Sequence, residues 1–335
     1  MKPSHKTLLK LIIACLLLAF LAHTSKIDFR LLLQLGHSPL LMLPTIALYF
    51  IIIGISAWRW NQLNRVQSID LTYHKTLLPT YLGIAFNNLL PGGIGGDFFR
   101  FYFINKKHPT PKSVVMLSIL IDRITGLLGI FIAVAIAALF QAHIFKDNHI
   151  IFYFLCVCLF ITVCLFSLAA LSFVLPKQLG MSQWLKNNYA EKKWAQSLLS
   201  IFNAIHLYRR AKITLLICLL LSGLIQALIT LTCLFIANIL NFPPLHFTEI
   251  LIAVAVTQIA NLIPLTPGGF GVGEMAFANT LILFHPTVAA TYGTIFFSYR
   301  IIGILTYLPG MLIFVLDKNL LKSQQAFIEN QPSKI

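Results

Sequence analysis

The sequence has few charged residues. Only 10% of its 335 residues are Asp, Glu, Lys or Arg, whereas a soluble domain carries about 25%. Hydrophobic residues make up 58% of the chain, and its mean hydropathy is +0.83. This composition excludes an ordinary soluble domain and indicates an integral membrane protein.

The sequence also lacks the motifs of common catalytic sites. It contains no Gly-x-Ser-x-Gly, no His-Glu-x-x-His and no Walker-type phosphate loop. The six cysteines all fall inside apolar runs, where we interpret them as small buried hydrophobes. The ten histidines show no metal-ligand spacing. We therefore expect no metal site and no cofactor.

Long apolar runs are present instead, and they predict membrane-spanning helices. One crossing takes about 20 predominantly apolar residues. We interpret the first run as a retained anchor, because its end lacks the small-x-small pattern of a cleaved signal peptide. The runs cover residues 8–22, 40–57, 113–140, 149–175, 213–238 and 289–316.

The basic residues are concentrated in alternate loops. The formal net charge of +15 could suggest nucleic-acid binding, but the distribution favours the positive-inside pattern of a membrane protein. We therefore expect no nucleic-acid partner and place the segments rich in Lys and Arg in the cytoplasm. Those segments, at 2–10, 59–75, 100–112, 177–212 and 318–334, hold 20 of the 25 Lys and Arg residues.

Two segments repeat one unusual motif inside apolar stretches. Each runs Asn-apolar-apolar-Pro, then Pro-Gly-Gly-x-Gly, then an acid, from Asn88 to Asp97 and from Asn261 to Glu274. Downstream, an arginine follows each acid by 26 residues, at positions 123 and 300. Hydrophobic segments interrupted by Pro and Gly at matching positions of two halves are the best sequence pointer to a transporter's binding site.

Charge counting predicts that both broken stretches are re-entrant. The stretch 76–104 is flanked by basic loops, so it enters and leaves on the cytoplasmic side, whereas 248–284 is flanked by uncharged outer loops. An odd number of full crossings then inverts the second half. The predicted fold is an all-α polytopic membrane protein with an inverted-topology repeat. Each half has three transmembrane helices plus one Gly/Pro-broken re-entrant helical hairpin.

The predicted domain organisation is a single membrane domain over residues 1–335. The first inverted repeat covers 8–140 and the second covers 149–316. The second contains a basic cytoplasmic segment, 177–212, with an amphipathic helix that lies on the inner membrane surface or packs on the bundle. A cytoplasmic tail, 317–335, follows, and both termini are predicted to be cytoplasmic.

The broken stretches are also where we expect a ligand. Broken backbone at membrane depth is tolerated only where it is buried in protein or lines a wet cavity. The start of each hairpin's second arm offers free amides at the positive end of a helix dipole, which suits a phosphate. Charged residues at this depth are costly, so they usually pair and mark a pathway.

We expect Arg123 and Arg300 to grip an anionic headgroup, and Asp97 and Glu274 to pair with them. The acids could alternatively bind a coupling proton or the amine of a zwitterionic headgroup, and the pairs could be purely structural. Asp122 and Arg123 are adjacent and do not face each other on a helix, so each needs another partner. The candidate substrate-binding residues are Asn88, Gly92, Gly93, Gly95, Asp97, Arg100, Asp122, Arg123, Asn261, Gly268, Gly269, Gly271, Glu274 and Arg300.

These motifs resemble those of the lysylphosphatidylglycerol synthase transmembrane-region family, also called the flippase-like domain family. In that family the membrane region of aminoacyl-lipid enzymes is thought to move the modified phospholipid between leaflets. The resemblance implies a bacterial inner-membrane location and a role connected with lipids. Because only a short tail follows the last predicted helix, we do not expect this chain alone to synthesise an aminoacyl lipid. The resemblance rests on Asn88 to Arg100, Asp122-Arg123-x-x-Gly126, Pro267 to Glu274 and Arg300.

The function that these patterns favour is a lipid translocase for a phosphate-bearing lipid, either a phospholipid or a polyprenyl-phosphate lipid. Its partners would be membrane lipids, anionic or zwitterionic, and a lipid-modifying enzyme could be a further partner. Two other classes stay open. One is a polyprenyl-phosphate glycosyltransferase or an accessory subunit of a lipid-modifying enzyme, and the other is an ion channel or exchanger. A transporter is favoured over an enzyme.

The inverted repeat can be tested by labelling. A cysteine introduced by Lys106→Cys should react from the cytoplasmic side, and one introduced by Pro286→Cys should react from the exterior, because the two hairpins are predicted to open to opposite sides. A membrane-impermeant maleimide on intact cells, with and without permeabilisation, measures this. The unmodified chain is the control, and labelling of both positions from one side would contradict the prediction.

Overall fold

The structure, a computed structural model, describes six stretches of the chain and a few single residues. The stretches are 39–89, 95–107, 111–140, 207–262, 265–286 and 291–316, and the single residues are 28, 30, 31, 36, 157, 160 and 199. The predicted helix at 8–22, all of 149–175 but two residues, most of the segment 177–212 and the tail at 317–335 lie outside the described residues.

The described residues form helices and no strand, so the predicted all-α class is confirmed for that part of the chain. In chain order the helices are α1 (Pro39–Val66), α2 (Tyr73–Leu89), α3 (Gly95–Lys107), α4 (Lys112–Phe140), α5 (Lys212–Ile239), α6 (Phe247–Ala260), α7 (Val272–Phe284) and α8 (Gly293–Leu316). Within them, Met42–Val66 of α1, Lys112–Ala137 of α4 and the whole of α5 are long and apolar enough to cross a membrane. Each overlaps a predicted apolar run.

The helices α2 and α3 form the first hairpin. Gly83 of α2 lies against Arg100 of α3, and Asn87 lies against Gly96, so residue numbers rise on one arm as they fall on the other. This antiparallel pairing shows that the chain reverses direction between the two helices. The arms approach closely, since a Cβ added at Gly96 would collide with the Gly83 carbonyl. The tip, residues 90–94, lies outside the described residues.

The helices α6 and α7 form the second hairpin. Glu249 at the start of α6 contacts His285 after α7, and Thr257 lies against Gly273, which again shows an antiparallel pair. The connection contains a short 3₁₀ turn, Pro267–Gly269. Three glycines there have positive φ, at Gly268, Gly269 and Gly271 (59°, 74° and 82°). This conformation strains other L-residues, so glycine lets the chain turn back.

Helix α1 is longer than the apolar run at 40–57 predicts. It continues to Val66, which places Arg59 and Arg65 on a helix rather than in the predicted basic loop. The reason lies in tertiary contacts. Asn61 is buried, and its side-chain amide donates to the Leu71 carbonyl at 2.7 Å. The buried amide of Asn61 is therefore satisfied by the folded connection to α2.

Two tyrosines join helices from the two halves. The ring of Tyr49 on α1 packs against Gly303 of α8, and its hydroxyl donates to the Tyr299 carbonyl. The ring of Tyr81 on α2 packs against Gly310 of α8, and its hydroxyl donates to another α8 carbonyl. The core around them includes buried side chains of α1, α2 and α5 to α8. The described parts of both halves thus share one core.

The contact between α4 and α5 gives a stability prediction with an internal control. A Cβ added at Gly129 would collide with Ser222, whereas one added at Gly223 would meet no atom within 4 Å. Gly129→Ala should destabilise the protein by about 1–3 kcal/mol through overpacking. Gly223→Ala should be neutral or slightly stabilising because alanine favours helix. Thermal unfolding in one detergent compares them, and equal melting temperatures for both variants would contradict this packing.

Candidate functional site

Arg300 lies at the centre of the second hairpin's break. Its Nε lies 3.0 Å from Oε1 of Glu274. Its Nη1 donates to the carbonyl of Gly268, and its Nη2 donates to the Gly269 carbonyl at 3.1 Å and to Asn261 Oδ1 at 3.2 Å. The guanidinium therefore closes the turn and pairs with the acid that begins the second arm. Arginine suits this role because its donors form a rigid planar fork.

The surroundings of this pair are closed and aromatic. Glu274 is fully buried, and its Oε2 accepts the Gly271 amide at 2.6 Å. The rings of Phe270 and Phe296 lie 4.8 and 5.0 Å from the Arg300 guanidinium carbon. The amide at the start of α7, predicted to receive a phosphate, is thus bonded to the chain's own carboxylate. A ligand anion has to displace Glu274 to reach the Gly271 amide or the Arg300 Nε.

The corresponding pair of the first hairpin is more accessible. Asp97, in the first turn of α3, pairs with Arg123 of α4. The Arg123 side chain is 44% exposed and that of Asp97 is 17% exposed, against 7% for Arg300. The backbone amide of Gly96 donates to Asn87 Oδ1 at 2.9 Å. Both predicted acid–arginine pairs are therefore present, one half-exposed and the other buried.

A second ionic cluster lies beside the first hairpin. Asp122 of α4 accepts Arg59 Nε of α1 on one oxygen at 2.8 Å and Arg100 Nη1 of α3 on the other at 3.0 Å. Arg59 also donates to Ser222 of α5 at 2.8 Å, and Arg100 lies 5.1 Å from the centre of the Trp60 ring. The Asp122 carboxylate thus joins α4 to α1 and α3, and Arg59 extends the network to α5. Together with the Asp97–Arg123 pair, the described ionic groups beside the first hairpin are three arginines and two aspartates.

A cavity of about 220 Å³ lies between the two halves. Helices α1 and α2 supply one wall, and α5, α8 and the second hairpin's connection supply the other. Its lining is mainly apolar and aromatic, and its polar residues include Arg300 and Ser56. The lining includes Tyr49, Ser56, Phe270, Tyr299, Arg300 and Tyr307. The break of the second hairpin therefore borders space that a polar headgroup could enter.

Comparison with known proteins identifies the family. The profile of the lysylphosphatidylglycerol synthase transmembrane region matches residues 7–310. The chain belongs to this family. It is 21% identical to UPF0104 membrane protein MJ1595 of Methanocaldococcus jannaschii over 337 residues, covering 93% of this chain and 96% of the relative. It is 28% identical to UPF0104 membrane protein PH1989 of Pyrococcus horikoshii over 137 residues, 40% and 41% of the two chains. No solved structure matches it significantly.

The family match spans both hairpins, so it confirms the resemblance inferred from the repeated motifs. Within the described residues, the predicted site residues form two groups. The first hairpin gathers Gly95, Asp97, Arg100, Asp122 and Arg123 on α3 and α4, and the second gathers Asn261, Gly268, Gly269, Gly271, Glu274 and Arg300. Gly92, Gly93 and the side chain of Asn88 lie outside the described residues. Their substrate-binding role stays a prediction.

Sequence reasoning missed several residues of these clusters. The sequence pattern places Arg59 in the basic loop, yet it pairs with Asp122 inside the bundle. A signal was present, because Asp122 cannot pair with the adjacent Arg123 and so needs a cation from another helix. The buried Glu249, 3.0 Å from His285, was missed too, since it lies where α6 begins beside an uncharged loop.

The two acid–arginine pairs should differ sharply in their effect on stability. Arg300→Gln leaves Glu274 buried without its counter-charge, which should cost about 3–5 kcal/mol. Arg123→Gln removes a half-exposed pair and should cost less than about 1 kcal/mol. Thermal unfolding in detergent measures both. The double variant Arg300→Met/Glu274→Met should recover part of the loss, and the same melting temperature for the two single variants would contradict the assigned burial.

Proposed function

We propose that this protein is a lipid translocase that moves a phosphate-bearing lipid between membrane leaflets. Membership of the family and the long apolar helices support a membrane role connected with lipids. The observation that carries the proposal is the repeated site. Each chain-reversing hairpin holds a carboxylate–arginine pair beside its break, and the second pair borders a cavity between the halves.

The first hairpin is the better candidate for initial headgroup binding. Arg123 is half-exposed and pairs with a partly exposed carboxylate, so a phosphate can replace Asp97 at lower cost than it can replace Glu274. Phosphate accepts two parallel hydrogen bonds from a guanidinium, as a carboxylate does. The released Asp97 would then hold a proton or the amine of a zwitterionic headgroup. The acyl chains would stay in the bilayer.

The proposed route across the membrane rests on the predicted topology. The hairpins would open to opposite sides, and inverted repeats move a substrate by rocking against each other, so that a site at their interface is exposed to one side at a time. The location proposed is the inner membrane, with cytoplasmic N- and C-termini, and it rests on the basic loops of the sequence. A lipid-modifying enzyme that supplies or consumes the lipid is the proposed protein partner.

Lipid movement in proteoliposomes tests the function directly. The panel comprises fluorescent phosphatidylglycerol, phosphatidylethanolamine and a short polyprenyl phosphate, with leaflet exposure read by dithionite quenching. Wild-type protein should move one headgroup class. The double variant Asp97→Asn/Glu274→Gln should lose that movement, and Arg123→Gln should slow it more than about tenfold, the effect of losing one charged hydrogen bond.

The controls separate loss of function from loss of fold. Arg210→Gln, an exposed arginine outside both clusters, should move lipid at the wild-type rate. Each variant is used only after its melting temperature shows that it is folded. No movement of any lipid by folded wild-type protein would refute the proposal. Ionic current or pH change without lipid movement would instead support the ion channel or exchanger.

A further inference from the structure

A second cavity lies between α1 and the start of α2, and it shares no residue with the clusters described above. Its volume is about 390 Å³, and it is open to the surroundings of the protein. Its walls are almost wholly apolar. The lining residues are Gly54, Ile55, Trp58, Asn61, Arg65 and Tyr73. The Trp58 side chain is exposed, at 44%, so an apolar surface is presented where no described helix covers it.

The polar groups of this groove are of two kinds. Those of Tyr73 and Asn61 are used inside the protein, since Tyr73 donates to the Gly54 carbonyl at 3.1 Å and Asn61 donates to Leu71. Arg65 differs, because it is exposed and forms no ion pair with any residue that the structure describes. The groove therefore combines an apolar wall with one cation available to a ligand.

The length of the groove matches one leaflet of a bilayer. Arg65 is the penultimate residue of the membrane-span candidate Met42–Val66, so it lies at the headgroup level if α1 crosses. Gly54 lies 65 − 54 = 11 residues deeper along α1, a distance of about 16 Å at the helical rise. Half of the hydrocarbon core is about 15 Å. The apolar wall thus runs from the headgroup level to the bilayer midplane.

We propose that this groove binds one phospholipid of the adjoining leaflet, with its phosphate on Arg65 and one acyl chain along Gly54, Ile55 and Trp58. A free phosphate would satisfy Arg65 but leave the apolar wall uncovered, and an uncharged lipid would cover the wall but leave the cation without a partner. The site is independent of transport and does not require the proposed translocation.

Lipid retention by the full-length protein tests this site. Native mass spectrometry of detergent-purified protein compares dioleoylphosphatidylglycerol with dioleoylglycerol, which has the same chains and no phosphate. Wild type should retain the phospholipid about tenfold more strongly, as expected for one charge-assisted contact. Arg65→Gln should reduce this preference to near unity. Ile55→Trp, which fills the groove, should reduce the retention of both lipids.

The matched control is Arg210→Gln, since Arg210 is another exposed arginine close to the start of a membrane-span candidate. It should keep the wild-type preference, and the melting temperatures of all three variants should stay near that of wild type. An unchanged preference in Arg65→Gln would overturn the proposal. So would an equal loss in Arg210→Gln, because binding would then reflect the general basic charge rather than this groove.

Discussion

A broken helix in apolar surroundings needs partners for its open backbone groups, and at the second hairpin one guanidinium supplies them. Arg300 donates to the carbonyls of Gly268 and Gly269, while its charge is balanced by Glu274. Glu274 in turn accepts the amide of Gly271. The turn, Arg300, Glu274 and the start of α7 are therefore joined by one network of contacts. The same contacts limit what can bind, because a ligand must replace every contact that it displaces.

The two hairpins use the same residue types with different results. The second has one acid and one arginine, both buried, which form an ion pair and contact the turn. The first divides two acids among three arginines, and its outermost pair, Asp97 and Arg123, is partly exposed. Under the proposed function, the exposed pair would receive the anion first, and binding at the buried pair would require rearrangement.

Among the described residues, the apolar helices and both acid–arginine pairs follow from sequence, because hydropathy marks apolar helices and a charge inside one needs a partner. The true end of α1 does not follow, since the burial of Asn61 depends on the folded connection to α2. The contact of Asn87, rather than Asn88, with the Gly96 amide does not follow from sequence either. Neighbouring residues point about 100° apart on a helix, and only the packed structure decides which of them faces α3. The membrane orientation of the hairpins stays a prediction.

The tyrosine contacts on α8 bear on how the molecule can move. Tyr49 and Tyr81 belong to the first half, yet their rings pack against the backbone of Gly303 and Gly310 in the second half. While these contacts persist, α8 must travel with α1 and α2 as one rigid body. Because Arg300 of α8 also binds the turn of the second hairpin, α8 couples that hairpin to α1 and α2 across the boundary of the sequence repeat.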